Sequence, residues 1–125
     1  MKWMMLLLIG FTSLSISAQD GVSEKVNAAL NSGNAKAFAQ LFVPNVDMTL
    51  VDDEGMMSKD QAVKKLQKFF MDNQVVKFSI KHKGTSKLDD HYRIGELVTK
   101  NGTFSVTYFI KKTPNGFKIK RLSID

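Results

Sequence analysis

Residues 95–110 read GELVTKNGTFSVTYFI, from Gly95 to Ile110, and the folding of this stretch decides the rest of the chain. Two runs rich in β-branched and aromatic residues flank Asn101-Gly102. That dipeptide is a strong hairpin signal, because a type I′ turn needs positive φ at both central positions. A two-residue turn there pairs Lys100 with Thr103, Thr99 with Phe104, Leu97 with Val106, Gly95 with Tyr108 and Arg93 with Ile110. From Thr99 and Phe104 onward these paired residues share one face. Tyr92, Ile94, Glu96, Val98, Ser105, Thr107 and Phe109 share the other. Side chains alternate with period two, so a slip of one residue would exchange the faces.

The same reasoning extends the sheet upstream. A two-residue turn at Asp89-Asp90 places Gly84 opposite Gly95, His82 opposite Leu97 and Ile80 opposite Thr99, with Lys83 facing Glu96 as a surface ion pair. One face then carries Phe78, Ile80, His82, Leu97, Phe104, Val106, Tyr108 and Ile110. It is the more apolar face and is assigned to the helices. Gly84 beside Gly95 leaves space over the sheet, and glycines in strands mark bends or bulges. A strongly bent sheet wrapped around helices makes a cone with a cavity at its open end.

Upstream of the sheet the apolar period is helical. Val22, Val26, Ala29 and Leu30 form one stripe, stopped at Asn31-Ser32-Gly33. Asn34 can cap a second helix, Ala35 to Phe42, that buries Phe38, Leu41 and Phe42. Pro44 ends it, and Val46 to Val51 reads as a short strand before a turn at Asp52-Asp53-Glu54-Gly55. Ser58 and Gln61 fit a capping box. The helix it opens turns Ala62, Val63, Leu66, Phe69 and Phe70 inward and Lys59, Lys64, Lys65 and Lys68 outward. Strands follow at about 75–88, 91–100, 103–112 and 117–124. The expected fold is therefore α+β: three N-terminal helices packed on a strongly bent antiparallel sheet of four to five strands.

The chain of 125 residues has room for one domain. Its first residues, MKWMMLLLIGFTSLSISAQD, read as an export signal: Lys2, an apolar run, then small residues ending at Ala18. The run is shorter than the ~18–20 residues that span a bilayer. Residues 1–18 are expected to be removed, leaving a periplasmic or secreted domain of residues 19–125 with no stable membrane span. There is no cysteine, hence neither a disulfide nor a thiol nucleophile, and the net charge is +6. That charge suits an anionic envelope ligand, and export argues against nucleic acid.

Ala37-Phe38-Ala39-Gln40-Leu41-Phe42-Val43-Pro44-Asn45-Val46, then Glu54-Gly55-Met56-Met57-Ser58-Lys59-Asp60-Gln61-Ala62, then the long closing meander resemble the nuclear-transport-factor-2-like, or cystatin-like, cone fold. More closely, the Tyr92-Arg93-Ile94-Gly95-Glu96-Leu97-Val98-Thr99 and Lys118-Ile119-Lys120-Arg121-Leu122-Ser123-Ile124 strands are similar to those of small secreted Bacteroidetes proteins grouped as a domain of unknown function. The resemblance implies the fold and leaves activity open, since the cone hosts isomerases, dehydratases, hydrolases, adaptors and plain binders. It carries over no catalytic residue.

His82 and Tyr108 are candidate ligand-binding residues on the inner face, with Arg93 and Arg121 supplying positive charge at the rim. The alternative is a semi-buried His82 and a core Tyr108. Ile94, Val98 and Phe109 form a candidate homodimer interface on the outer face, or scattered apolar residues shielded by lysine stems. Asp52-Asp53-Glu54, Asp89-Asp90-His91 and Met56-Met57 lack the spacing or number of ligands that metals require, so neither a metal nor a cofactor is expected. The leading expectation is a non-enzymatic domain binding a small ligand or envelope component. A small enzyme using His82 and Tyr108 is the runner-up, and a homodimeric interaction module the third reading.

Overall fold

The computed structural model describes residues 18–86 and 90–125. The expected signal segment therefore falls outside the described residues up to position 17, and so does Asp89 of the expected Asp89-Asp90 turn. Helix α1 covers Ala18–Ser32 and a 3₁₀ helix covers Ala35–Gln40. Strands β1 (Phe42–Leu50) and β2 (Asp53–Ser58) precede helix α2 (Lys59–Asp72). Strands β3 (Val75–Thr85), β4 (His91–Thr99), β5 (Gly102–Thr113) and β6 (Gly116–Ile124) complete the chain.

Local chemistry sets the helix ends. At the end of α1 the Asn34 and Gly33 amides donate to the carbonyls of Ala29 and Leu30, with Gly33 at φ +64°. That is the reverse turn glycine supports after a helix. The Asn34 side chain caps the next element by accepting from the Ala37 amide. Six residues are too few for a stable α-helical nucleus, so the segment tightens into a 3₁₀ helix and ends at Gln40. Phe38, Leu41 and Phe42 are buried as expected. The Ser58/Gln61 capping box forms, and α2 buries Ala62, Leu66, Phe69 and Phe70.

The sheet differs from the expectation in two respects. Among the described residues it has six strands, in the order β2-β1-β6-β5-β4-β3. The additional strand, Asp53–Ser58, lacks the β-branched residues that mark strands, and pairs with β1 through a tight turn at Val51-Asp52. Nor is the sheet wholly antiparallel: β1 runs parallel to β6, with Pro44 inside the register break between Phe42 and Asp47. A proline is tolerated in a strand where the ladder is interrupted. The helices also do not all precede the sheet, since α2 follows two strands.

The β4–β5 hairpin turns one step earlier than the sequence suggests. Thr99 pairs with Gly102 and Leu97 with Phe104, so Lys100-Asn101 is the turn and Gly102 carries the positive φ, +128°. This shift of two residues leaves every side chain on its expected face. Val106, Tyr108, Ile110 and Leu97 are wholly buried under the helices. The β5–β6 hairpin repeats the device. In Thr99-Lys100-Asn101-Gly102 and in Thr113-Pro114-Asn115-Gly116, the threonine hydroxyl accepts from the asparagine amide and donates to the glycine carbonyl.

The β3–β4 ladder behaves differently. Phe78 pairs with Leu97 and Ile80 with Gly95, but a break follows, and His82 pairs with Ile94 and Lys83 with Arg93. The extra residue is Lys81. A bulge of one residue exchanges the faces beyond it. His82 therefore stands exposed on the outer face and Lys83 joins the inner one, correcting both the expected His82 position and the Lys83–Glu96 pair. The two glycines do not oppose one another either. Each lies beneath an aromatic ring of the neighbouring strand: Phe78 covers Gly95 inside, and Tyr92 covers Gly84 outside.

Candidate functional site at the mouth of the cone

The interior of the cone is filled. Tyr108, Phe38, Leu30, Met48 and Leu66 are among its wholly buried side chains, and the Phe69 ring meets Phe104 edge-on at 5.1 Å. The polar cluster lies at one margin of this core, where α1 packs on β3 and β4 and its side chains reach Tyr108 of β5. Asp20, Ser23 and Asn27 stand three and four residues apart and so share one face of α1. That face is polar next to the apolar stripe of Val26, Ala29 and Leu30.

The Tyr108 hydroxyl donates to Asn27 Oδ1 at 3.3 Å. It lies 2.7 Å from Ser23 Oγ, which is then its donor. Burial pushes the Tyr108 pKa up; the Ser23 hydrogen bond and the Arg93 charge oppose that rise. Arg93 is 5% exposed. Its Nη1 donates to the Tyr92 carbonyl at 3.1 Å and its Nη2 to Asp20 Oδ1 at 3.3 Å, a carboxylate that is half in solvent. Over these groups lies an open depression of about 480 Å³, lined by Asp20, Ser23, Asn27, Arg93, Lys83, Glu24 and Ile80.

The structure thus brings Arg93 and Tyr108 together and leaves the other two candidates elsewhere. His82 is exposed on the outer face. Arg121 is there too, with Nε 3.0 Å from Asp47 Oδ2 and its guanidinium 5.6 Å from the centre of the Phe109 ring. Ile94, Val98 and Phe109 lie half-buried on that face, where Phe109 packs on Tyr92 at 5.6 Å and the Glu96 row separates Val98 from the other two. Sequence reasoning missed Asp20, Ser23, Asn27 and Lys83. The first three were legible as a polar face beside the apolar stripe of α1; Lys83 depends on the bulge. Among the described residues no group of three or more His, Cys, Asp or Glu side chains could hold a metal. None of their helices is long and apolar enough to cross a membrane.

Residues 23–125 match the family described as a domain of unknown function, DUF4783. The chain belongs to this family. A DUF4783 protein from Bacteroides uniformis is 28% identical, with a TM-score of 0.75 over 82% of this chain and 94% of that one. Two more distant structures share the fold. An NTF2-like protein of unknown function from Cytophaga hutchinsonii has TM-score 0.62 and 14% identity, over 89% of this chain and 90% of its own. A cystatin-fold protein from Novosphingobium aromaticivorans has TM-score 0.59 and 13% identity, over 89% and 99%. No curated protein matches the chain. The DUF4783 chain is therefore an α+β cone of the NTF2-like, cystatin-like kind.

Proposed function

We propose that this DUF4783 protein is an exported, non-enzymatic binding domain that takes a small polar ligand, bearing acidic and basic groups, at the mouth of its cone. The observation that carries the reading is the buried Arg93 guanidinium beside an open depression that also holds Lys83, Asp20, Glu24, Ser23 and Asn27. A charged side chain is rarely buried unless it is paired, and the partner of Arg93, Asp20, lies half in solvent at the depression, where a polar ligand can reach both. Catalysis by a His82–Tyr108 pair is disfavoured because the two stand on opposite faces, and the phenol is covered and hydrogen-bonded. Export rests on the N-terminal sequence: a basic residue, an apolar run and small residues before Ala18.

The test is thermal unfolding of the purified protein with a panel of amino acids and small hydroxy acids. One or more should raise Tm for the wild type, and Lys83→Gln should weaken that ligand by about three- to tenfold. A panel without effect, or a response in Lys83→Gln and Asn27→Ala equal to that of the wild type, would sink the reading. A second reading, homodimerisation through the outer face, is favoured by the adjoining half-buried Tyr92, Ile94 and Phe109. Sedimentation tests it: a monomeric wild type excludes it, and a dimer dissociated by Phe109→Asp supports it.

A further inference from the structure

On a different face of α1 from the one at the cone mouth, two depressions adjoin. One, of about 600 Å³, lies between α1 and the 3₁₀ helix, with Phe117 in its wall. The other, of about 690 Å³, lies under the β5–β6 turn, between Pro114 and Pro44. They share Gln40, Asn115 and Lys118. The Lys118 ammonium is fixed at this junction by donating to the Gln40 carbonyl at 2.7 Å.

The charge here is one-sided. Lys25 and Lys36 line the first depression, Lys59 the second and Lys118 both, and no carboxylate lines either. Ion pairs elsewhere engage Lys65, Lys68, Arg93, Lys120 and Arg121. None of the four groove lysines is paired with a carboxylate among the described residues. A double depression with four uncompensated ammonium groups and a low-dielectric floor of Phe42, Leu41 and Ala29 concentrates anions.

We propose that this groove binds an acidic polysaccharide chain, one carrying carboxylate or sulfate groups along its length. Its two adjoining parts suit an extended ligand with repeated charge. The Gln40 and Asn115 amides offer the mixed donors and acceptors that hydroxyl groups need. Phe117, Pro44 and Pro114 present apolar surface to the C–H faces of sugar rings. A bilayer surface fits less well. The exposed large apolar side chains among the described residues are Val51, Met56, Met71 and Val76, and none lines either depression. Interfacial binding requires such groups beside the cations.

The experiment titrates the purified protein with an oligogalacturonate and with a sulfated oligosaccharide, each against its neutral counterpart. Single-stranded DNA and vesicles with anionic headgroups complete the set. At least one acidic oligosaccharide should bind, its neutral counterpart should not, and affinity should fall as salt rises. Lys36→Gln/Lys118→Gln, and independently Lys25→Gln/Lys36→Gln, should weaken binding by about tenfold or more. Lys64→Gln/Lys68→Gln on α2 and Lys83→Gln at the cone mouth should leave it unchanged, which separates this site from the one proposed above. Failure of both acidic oligosaccharides to bind overturns the proposal. So does an equal loss in the α2 variant, or binding of DNA or vesicles as tight as that of the oligosaccharides.

Discussion

Strand β4 has an orderly neighbour on one side and an irregular one on the other. Towards β5 the ladder runs from His91–Ile110 to Thr99–Gly102 without a break. Towards β3 it breaks twice, between Val75 and Lys77 and between Ile80 and His82. The contrast separates two kinds of register error. The β4–β5 pairing departs from the expected one by two residues, which preserves the faces; the β3–β4 pairing departs by four before the bulge, which also preserves them, and by three beyond it, which exchanges them. The unbroken side builds the core. The broken side turns Lys83 towards Arg93 and so composes the candidate site.

Substitutions at the two covered glycines break this comparison most forcibly. A Cβ at Gly95 would lie 2.5 Å from both the Phe78 ring and the Ser79 carbonyl oxygen. The carbonyl belongs to the backbone and cannot swing aside, so Gly95→Ala should cost about 3 kcal/mol or more, read by urea denaturation. At Gly84 the nearest atoms all belong to the outer end of the Tyr92 ring. That ring is half-buried on the outer face and its end is a side chain that can shift, so Gly84→Ala should cost only about 1 kcal/mol. Equal losses would show that β3 is as rigid beyond the bulge as before it.

Tyr108 on the orderly side gives the next largest effect. Tyr108→Phe removes one hydroxyl from a buried triad and should cost about 1–2 kcal/mol. Its pH dependence has a definite sign. The folded pKa lies above that of the unfolded chain, so below pH ~10 the stabilisation is complete. As pH rises past that value the unfolded state loses its proton first, and stability falls through the folded pKa. Denaturation followed against pH should show a steeper alkaline decline in the wild type than in Tyr108→Phe.

The two Thr-x-Asn-Gly turns offer a finer comparison. Their hydrogen bonds are the same, but Thr99 is buried and Thr113 half-exposed. Thr99→Ala should cost about 1 kcal/mol and Thr113→Ala about half of that, because water replaces the lost partners at the exposed turn. The smallest effect expected is a gain. Val51, at the β1–β2 turn, has φ +55°, a region costly for a β-branched residue. Val51→Asn should raise stability by about 0.5–1 kcal/mol.

The same contrast explains what could be read in advance. The faces of β4 and β5 were legible because the Asn101-Gly102 signal sets the parity of the pairing, and Leu97, Phe104, Val106, Tyr108 and Ile110 make one face the more apolar. The segment Ser79-Ile80-Lys81-His82-Lys83 alternates equally well with or without a bulge, so the position of His82 could not be fixed locally. Strand β2 was hidden because Asp53-Glu54-Gly55 has the composition of a turn. The cone mouth was half visible. Arg93 and Tyr108 followed from the hairpin, whereas Asp20, Ser23 and Asn27 come from a helix whose rotation over the sheet only tertiary packing decides.

The parallel pairing of β1 with β6 bears on how the protein is made. A chain that emerges N-terminus first, from a ribosome or through a channel, presents β1 and β2 long before Gly116–Ile124 appears. Until then β1 has a partner on one side only, and Val46, Met48 and Leu50 lack the Leu122 and Ile124 neighbours that help bury them. Such non-local closure is slow and comes late. The polypeptide thus remains threadable until Gly116–Ile124 has emerged, and closure of the sheet waits for that segment.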